Sequence, residues 1–169
     1  MLLLSSTLTV VTVTSAGVAS GGDATPDGAR SPSAGAPTSR TGVIRAAAAL
    51  SSWDTRRSAA WSHGDLAALS HLYTAGSRTG ARDVADLRRW RSRHLRVSGL
   101  RQQVAELRVL VSTSDRLVLT VTDRTVDGVA VARHRRTALP TSSWATHRIR
   151  LRRERGRWLV EEVVDQPAR

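Results

Sequence analysis

From Ile44 to Trp61 the apolar positions recur at helical spacing: Ala47, Leu50, Trp53, Ala60 and Trp61, with Arg57 on the same stripe. The spacing predicts a first helix that stops at Gly64, a residue that adopts the left-handed cap conformation at little cost. Asp65 is placed to cap a short second helix with Leu66, Leu69, Leu72 and Tyr73 turned inward and Gly76 at its end. A third helix is predicted from Asp83, with Asp86 in its first turn and Val84, Leu87, Trp90 and Leu95 along one side. After Gly99 the period falls toward two. Val109 and Val111, Leu117 with Leu119 and Val121, Val129 and Val131, Ile149 and Leu151, then Trp158 and Val160 alternate with polar neighbours. Hairpin turns are expected at Ser114-Asp115, Asp127-Gly128 and Arg155-Gly156. Three helices followed by four to five antiparallel strands is an α+β order.

Upstream of this pattern lie two segments of different character. Residues 2–19 carry no charge and end in small residues, with Gly17 and Ala19 spaced as a signal peptidase requires. Residues 1–20 therefore read as a signal peptide or membrane anchor, which would make the protein extracytoplasmic, either secreted or tethered to the cytoplasmic membrane. Ser and Thr dilute the run and no basic residue precedes it, so a plain apolar N-terminus on a cytoplasmic protein stays open. Residues 21–42 are Gly, Ala, Pro, Ser and Thr almost throughout, too poor in apolar side chains to repay the entropy of ordering, and read as a linker. As a flexible chain it would span about 25 Å. Residues 43–169 are then the folded domain, long enough to bury a core without a metal or disulfide.

Composition narrows the chemistry. Cysteine is absent, which excludes disulfides, thiol catalysis, cysteine zinc sites and a lipidated N-terminal cysteine. The net charge of +12 comes wholly from residues 41–169, because the first forty residues hold equal numbers of Arg and Asp. Every basic residue is Arg, with no Lys, Asn or Phe, a pattern that fits a GC-rich genome as well as an anionic partner. The Arg clusters are not interleaved with stacking aromatics, which weighs against nucleic acid as the partner. The five His show neither His-x-His nor His-Glu-x-x-His spacing, so no metal and no cofactor is expected.

The string Ala60-Trp61-Ser62-His63-Gly64-Asp65-Leu66-Ala67-Ala68-Leu69-Ser70-His71-Leu72-Tyr73 resembles the helix, Gly-Asp turn, helix and Tyr that open the nuclear transport factor 2-like superfamily. That superfamily includes ketosteroid isomerases and polyketide cyclases. Arg155-Gly156-Arg157-Trp158-Leu159-Val160 resembles its closing hairpin and last strand. The resemblance implies a cone in which three helices pack on a strongly curved sheet around a pocket. The N-terminal anchor plus linker also resembles that of membrane-associated accessory proteins carrying this fold. The family is catalytically diverse, so no catalytic residue carries over by motif.

Two-residue turns at Arg155-Gly156 and Asp127-Gly128 would set Leu151 opposite Val160, Ile149 opposite Glu162, His147 opposite Val164, Asp123 opposite Ala132 and Val121 opposite His134. Asp123, His134, His147 and Glu162 would then converge near the mouth of the cone as candidate acid and base groups, against the plainer reading of solvated strand ends. Trp61, Tyr73, Trp90 and Trp158 are candidate pocket residues, although Trp61 and Trp90 fall on core stripes. Arg88, Arg89, Arg91, Arg93 and Arg96, with Arg148, Arg150 and Arg152 on a strand face, form a candidate basic surface for anionic membrane, Arg150 pairing across the strand with Glu161. The leading expectation is a domain that binds a protein partner or small apolar ligand in the cone, with a homodimer through the sheet as one arrangement. The rival is a small isomerase, cyclase or hydrolase acting on a hydrophobic substrate, and the weakest is a polyanion-binding module.

Overall fold

The computed structural model describes residues 40–167. Within them lie three helices, α1 (Arg40–His63), α2 (Leu66–Ser70) and α3 (Arg78–Ser92). Seven strands follow: β1 (Leu95–Ser98), β2 (Arg101–Ser112), β3 (Arg116–Val126), β4 (Val129–Ala132), β5 (Arg135–Ala138), β6 (Ala145–Glu154) and β7 (Arg157–Gln166). They form two antiparallel sheets, ordered β2-β3-β6-β7 and β1-β4-β5. The fold is α+β with three helices, and the single sheet of four to five strands is corrected to these two. The expected signal or anchor at 1–20 and the linker as far as residue 39 lie outside the described residues. The first turn of α1 takes Arg40–Gly42, which the composition had assigned to the linker. No helix among the described residues is long and apolar enough to cross a membrane.

Local chemistry explains the helix boundaries. α1 buries Ala46, Ala49, Trp53, Asp54, Arg57, Ala60 and Trp61, a stripe at steps of three and four that places two charged residues inside. It ends where Gly64 takes φ +68°, and Asp65 Oδ1 accepts the Ala68 N–H at 2.9 Å to start α2. α3 begins five residues before Asp83, because Ser77 Oγ accepts the Gly80 N–H at 3.1 Å and caps the helix there. Asp83 is therefore a buried mid-helix residue instead of a first-turn acid. Leu95, expected on α3, opens β1, since the chain leaves the helix at Arg93 and turns through His94 at φ 55°.

On the four-stranded sheet Leu117, Leu119 and Val121 of β3, Ile149 and Leu151 of β6 and Val160 of β7 alternate onto the inner face and pack with Trp53, Trp61, Leu69 and Leu87. Each such side chain contributes about 1.5–3 kcal/mol by leaving water. Two registers differ from those expected. Asp127-Gly128 is not a hairpin turn: β3 pairs with β6, and β4 pairs with β1 and β5. Gly128 is buried against Leu100 and Leu139, so the chain there crosses from one sheet to the other through a site too crowded for a Cβ. The turn at Arg155-Gly156 forms, with Glu154 opposite Arg157 and Leu151 opposite Val160. An irregularity between Arg150 and Leu151 then shifts the ladder, setting Ile149 opposite Val163, Arg150 opposite Glu162 and His147 opposite Asp165.

Gly80 shows how tightly α3 is seated. A Cβ there would lie 2.5 Å from Tyr73 Cγ, and that ring is held at its other end by a hydrogen bond. An alanine in a helix ordinarily gains about 0.5–1 kcal/mol over glycine, but overpacking a fixed ring costs about 1–3 kcal/mol. Gly80→Ala is expected to destabilise the domain, and chemical denaturation will read a lower midpoint; an unchanged or higher midpoint would show that α3 is not seated on Tyr73.

Candidate functional site

The inner charged residues organise around Asp83. Arg57 donates to both of its oxygens, Nε to Oδ2 at 2.7 Å and Nη2 to Oδ1 at 2.5 Å. Tyr73 OH donates to Oδ2 at 2.6 Å and Trp61 Nε1 to Oδ1 at 3.2 Å. Arg57 also lies near the rings of Trp53 and Trp61, at 5.9 and 5.8 Å from their centroids. Burial works against the Arg57 charge, yet the Asp83 carboxylate outweighs it and holds the guanidinium proton more firmly than usual. Burial raises the Tyr73 phenol, and Asp83 adds to the rise while Arg57 opposes it, so the phenol stays a hydrogen-bond donor.

A second cluster sits beside this one. His147 is opposite Val121 in the β3–β6 ladder, which brings its Nε2 to 3.5 Å from Asp123 Oδ1. His147 Nδ1 lies 2.8 Å from Asp165 Oδ1. Gln102 Nε2 donates to Asp123 Oδ1, and Thr125 Oγ1 donates to Gln102 Oε1 at 3.2 Å, which fixes the orientation of the amide. Burial disfavours the imidazolium, but the bonds to Asp123 and then Asp165 win, so its pKa is raised. Asp54, 2 % exposed, has an Oδ1 without a hydrogen-bond partner among the described residues. Burial pushes its carboxyl up to about 7; Arg57 opposes the rise and Asp123 adds to it.

A cleft opens between α3 and β7, lined by Arg57, Tyr73, Asp83, Arg78, Arg82 and Asp165 among others. Buried Arg57, Tyr73 and Asp83 form its floor, and Asp165 stands on one wall. Its acids are all engaged: Asp86 by Arg89, Glu162 by Arg150 at 3.0 Å, Asp165 by His147. Among the described residues Arg78 and Arg82 have no ion-pair partner, so the free charge of the cleft is positive.

The candidates from the sequence fall in different places. Asp123 and His147 meet, through the β3–β6 ladder instead of the two hairpins expected. His134 sits beyond β4 in the turn to β5, exposed and away from Asp123, because β4 belongs to the other sheet. Glu162 is displaced by the register shift to face Arg150, and Asp165 takes its place beside His147. Arg150 therefore pairs with Glu162 and not Glu161, which Arg152 binds at 3.2 Å. The aromatic four do not share one pocket. Trp61 is core, Trp90 packs edge-on against it at 6.3 Å, Tyr73 lines the cleft, and Trp158 lines a separate notch. Arg88, Arg89, Arg91, Arg93, Arg96, Arg148 and Arg152 are exposed. No group of three potential ligands for a metal ion occurs among the described residues. Asp54, Asp83, Gln102 and Asp165 were missed. The available signal was Asp54 and Arg57 on an otherwise apolar helical stripe, since a charge directed inward must find a partner.

The fold has counterparts among solved structures. No family model matches the sequence, and no curated protein matches it. Among solved structures, the intermembrane space region of chloroplast protein ARC6 superposes with TM-score 0.54 at 13% identity, over 75% of this chain and 97% of the other. Rv3472, a function unknown protein from Mycobacterium tuberculosis, superposes with TM-score 0.50 at 12% identity over 75% and 73%. A member of the NTF2-like family from Streptomyces avermitilis gives 0.46 at 12% identity over 75% and 98%. The chain thus shares its α+β fold with the ARC6 region and with Rv3472.

The raised pKa of Asp54 has a sign for stability. The folded protein holds this proton more tightly than the unfolded chain, so the contribution is full below the ordinary carboxyl value of 3.8 and is lost as pH rises through about 7. His147 acts in the same direction, its contribution full below 6.5 and lost above its raised folded value. The melting temperature is expected to fall between pH 5 and pH 8, and Asp54→Asn to remove most of the fall, a difference on the order of a few kcal/mol. Equal pH slopes for both proteins would contradict the assignment.

Proposed function

We propose that this chain is a small-ligand-binding domain of the nuclear transport factor 2-like fold, with the cleft between α3 and β7 as its site. The observation that supports the reading is the cleft's charge balance: every lining acid is engaged, whereas Arg78 and Arg82 have no ion-pair partner among the described residues. The ligand this favours is a compact molecule with an anionic group at the rim and a polar or aromatic body over Tyr73. The uncharged run at residues 2–19 supports an extracytoplasmic setting, secreted or membrane-tethered. Exposed Arg148 on the outer sheet face, without an ion-pair partner among the described residues, favours an anionic membrane surface over a second basic copy of the chain as its neighbour.

A second reading, an acid–base enzyme acting on a hydrophobic substrate as an isomerase, cyclase or hydrolase, is supported by Asp54. A buried carboxyl that titrates near 7 beside an Asp–His pair is suited to moving protons at neutral pH. In this reading Asp54 exchanges the proton and Asp123 holds His147 in place.

The binding reading is tested with 1-anilinonaphthalene-8-sulfonate, a sulfonate on an apolar body, followed by fluorescence titration. Removing both rim charges in Arg78→Gln/Arg82→Gln is expected to weaken binding by about tenfold or more while leaving the melting temperature unchanged. Undiminished affinity in that variant would remove the cleft as the site.

A further inference from the structure

A second cationic site lies away from the cleft, where the middle of α1 meets the turn between β6 and β7. Arg56, Ser52 and Ala49 of α1 face Gly156, Arg157 and Trp158 across a notch. The Arg56 guanidinium is already oriented: Nε donates to Ser52 O at 3.1 Å and Nη2 to Trp158 O at 3.3 Å. These bonds tie α1 to the start of β7 and leave further N–H groups of the same guanidinium unused. Arg157 stands across the notch. Neither arginine forms an ion pair among the described residues, although Glu154 is opposite Arg157 in the ladder; Glu161 is taken by Arg152. The Ser52 hydroxyl has no partner among the described residues, and the half-buried Trp158 supplies an aromatic wall.

Two guanidinium groups facing one notch repel each other. Partial burial and, after it, Arg157 lower the pKa of Arg56, so the notch holds positive charge at a cost in free energy that an anion would relieve. A planar, pre-oriented guanidinium beside a second one and a hydroxyl matches the several oxygens of a tetrahedral oxyanion. The adjacent indole gives an apolar group on that oxyanion a surface to lie on.

We propose that this notch binds a phosphate-type oxyanion, with Arg56 and Arg157 as the cationic clamp, Ser52 as an additional donor and Trp158 as the wall for the group that carries the phosphate. The site is independent of the cleft between α3 and β7. The same chemistry is offered by a soluble phosphomonoester and by the phosphate of a lipid headgroup.

The test uses the full chain and the indole N–H resonance of Trp158, identified with Trp158→Phe. Inorganic phosphate, phenyl phosphate and vesicles containing phosphatidylglycerol are titrated separately, with phosphatidylcholine vesicles as the uncharged control. A saturable shift is expected, stronger for phenyl phosphate than for inorganic phosphate. Arg157→Gln, at an exposed position, and Arg56→Gln are each expected to weaken it by about tenfold or more. Arg82→Gln, in the cleft, is expected to leave it unchanged. A response to the soluble phosphates supports a free phosphomonoester as the natural source, and a response to phosphatidylglycerol vesicles alone supports a headgroup. Absence of a saturable shift with all three probes, persistence in both notch variants, or an equal loss in Arg82→Gln would overturn the proposal.

Discussion

The structure depends on one buried contact, the two-bonded pair of Arg57 and Asp83 between α1 and α3. Both charges are almost wholly removed from water, and an uncompensated buried ion would cost several kcal/mol. Here four donors converge on the carboxylate, from Arg57 twice, Tyr73 and Trp61, so its lone pairs are filled. Those donors come from α1, from the segment after α2 and from nowhere else, which means the pair fixes how all three helical segments meet. Tyr73 in turn forms a parallel bridge with Val160, and Trp53 donates to Leu72 O at 2.9 Å, so the helical layer is keyed to β7. The floor of the cleft is a by-product of this packing.

The same pair explains why the neighbouring carboxyl behaves differently. Arg57 is oriented by Asp83, so Asp54 feels its charge only partly, and burial together with Asp123 prevails. Of the buried carboxyls, Asp83 thus has a full set of donors and Asp54 has an oxygen left unfilled among the described residues. The first is a structural element. The second is the group with unspent hydrogen-bonding capacity, and its nearness to the Asp123–His147–Asp165 series gives the interior its acid–base character.

Much of this was legible in the amino-acid sequence. The Trp53 and Trp61 stripe, the Asp65 cap, the Leu117, Leu119 and Val121 alternation and the Arg155-Gly156 turn all follow local rules that the fold respects. What escaped is nonlocal. The shift between Arg150 and Leu151 has no sequence signature, and a single displaced residue exchanged Glu162 for Asp165 beside His147. Asp127-Gly128 has the composition of a hairpin turn, but Gly128 is there because Leu100 and Leu139 leave no room for a Cβ. Asp83 looked like a helix-start acid because Ser77 is an equally good cap six residues earlier, and only packing decides between them.

The central claim, that the Arg57–Asp83 pair holds the helical layer together, is tested most directly by a double-mutant cycle on folding stability with Arg57→Met and Asp83→Asn. Arg57→Met alone should cost about 3–5 kcal/mol, because it leaves Asp83 buried without its cation. In the Asp83→Asn background the same substitution should cost less by about 1–3 kcal/mol, the coupling of a pair in direct contact. Additive costs, with no coupling between the two positions, would contradict the account.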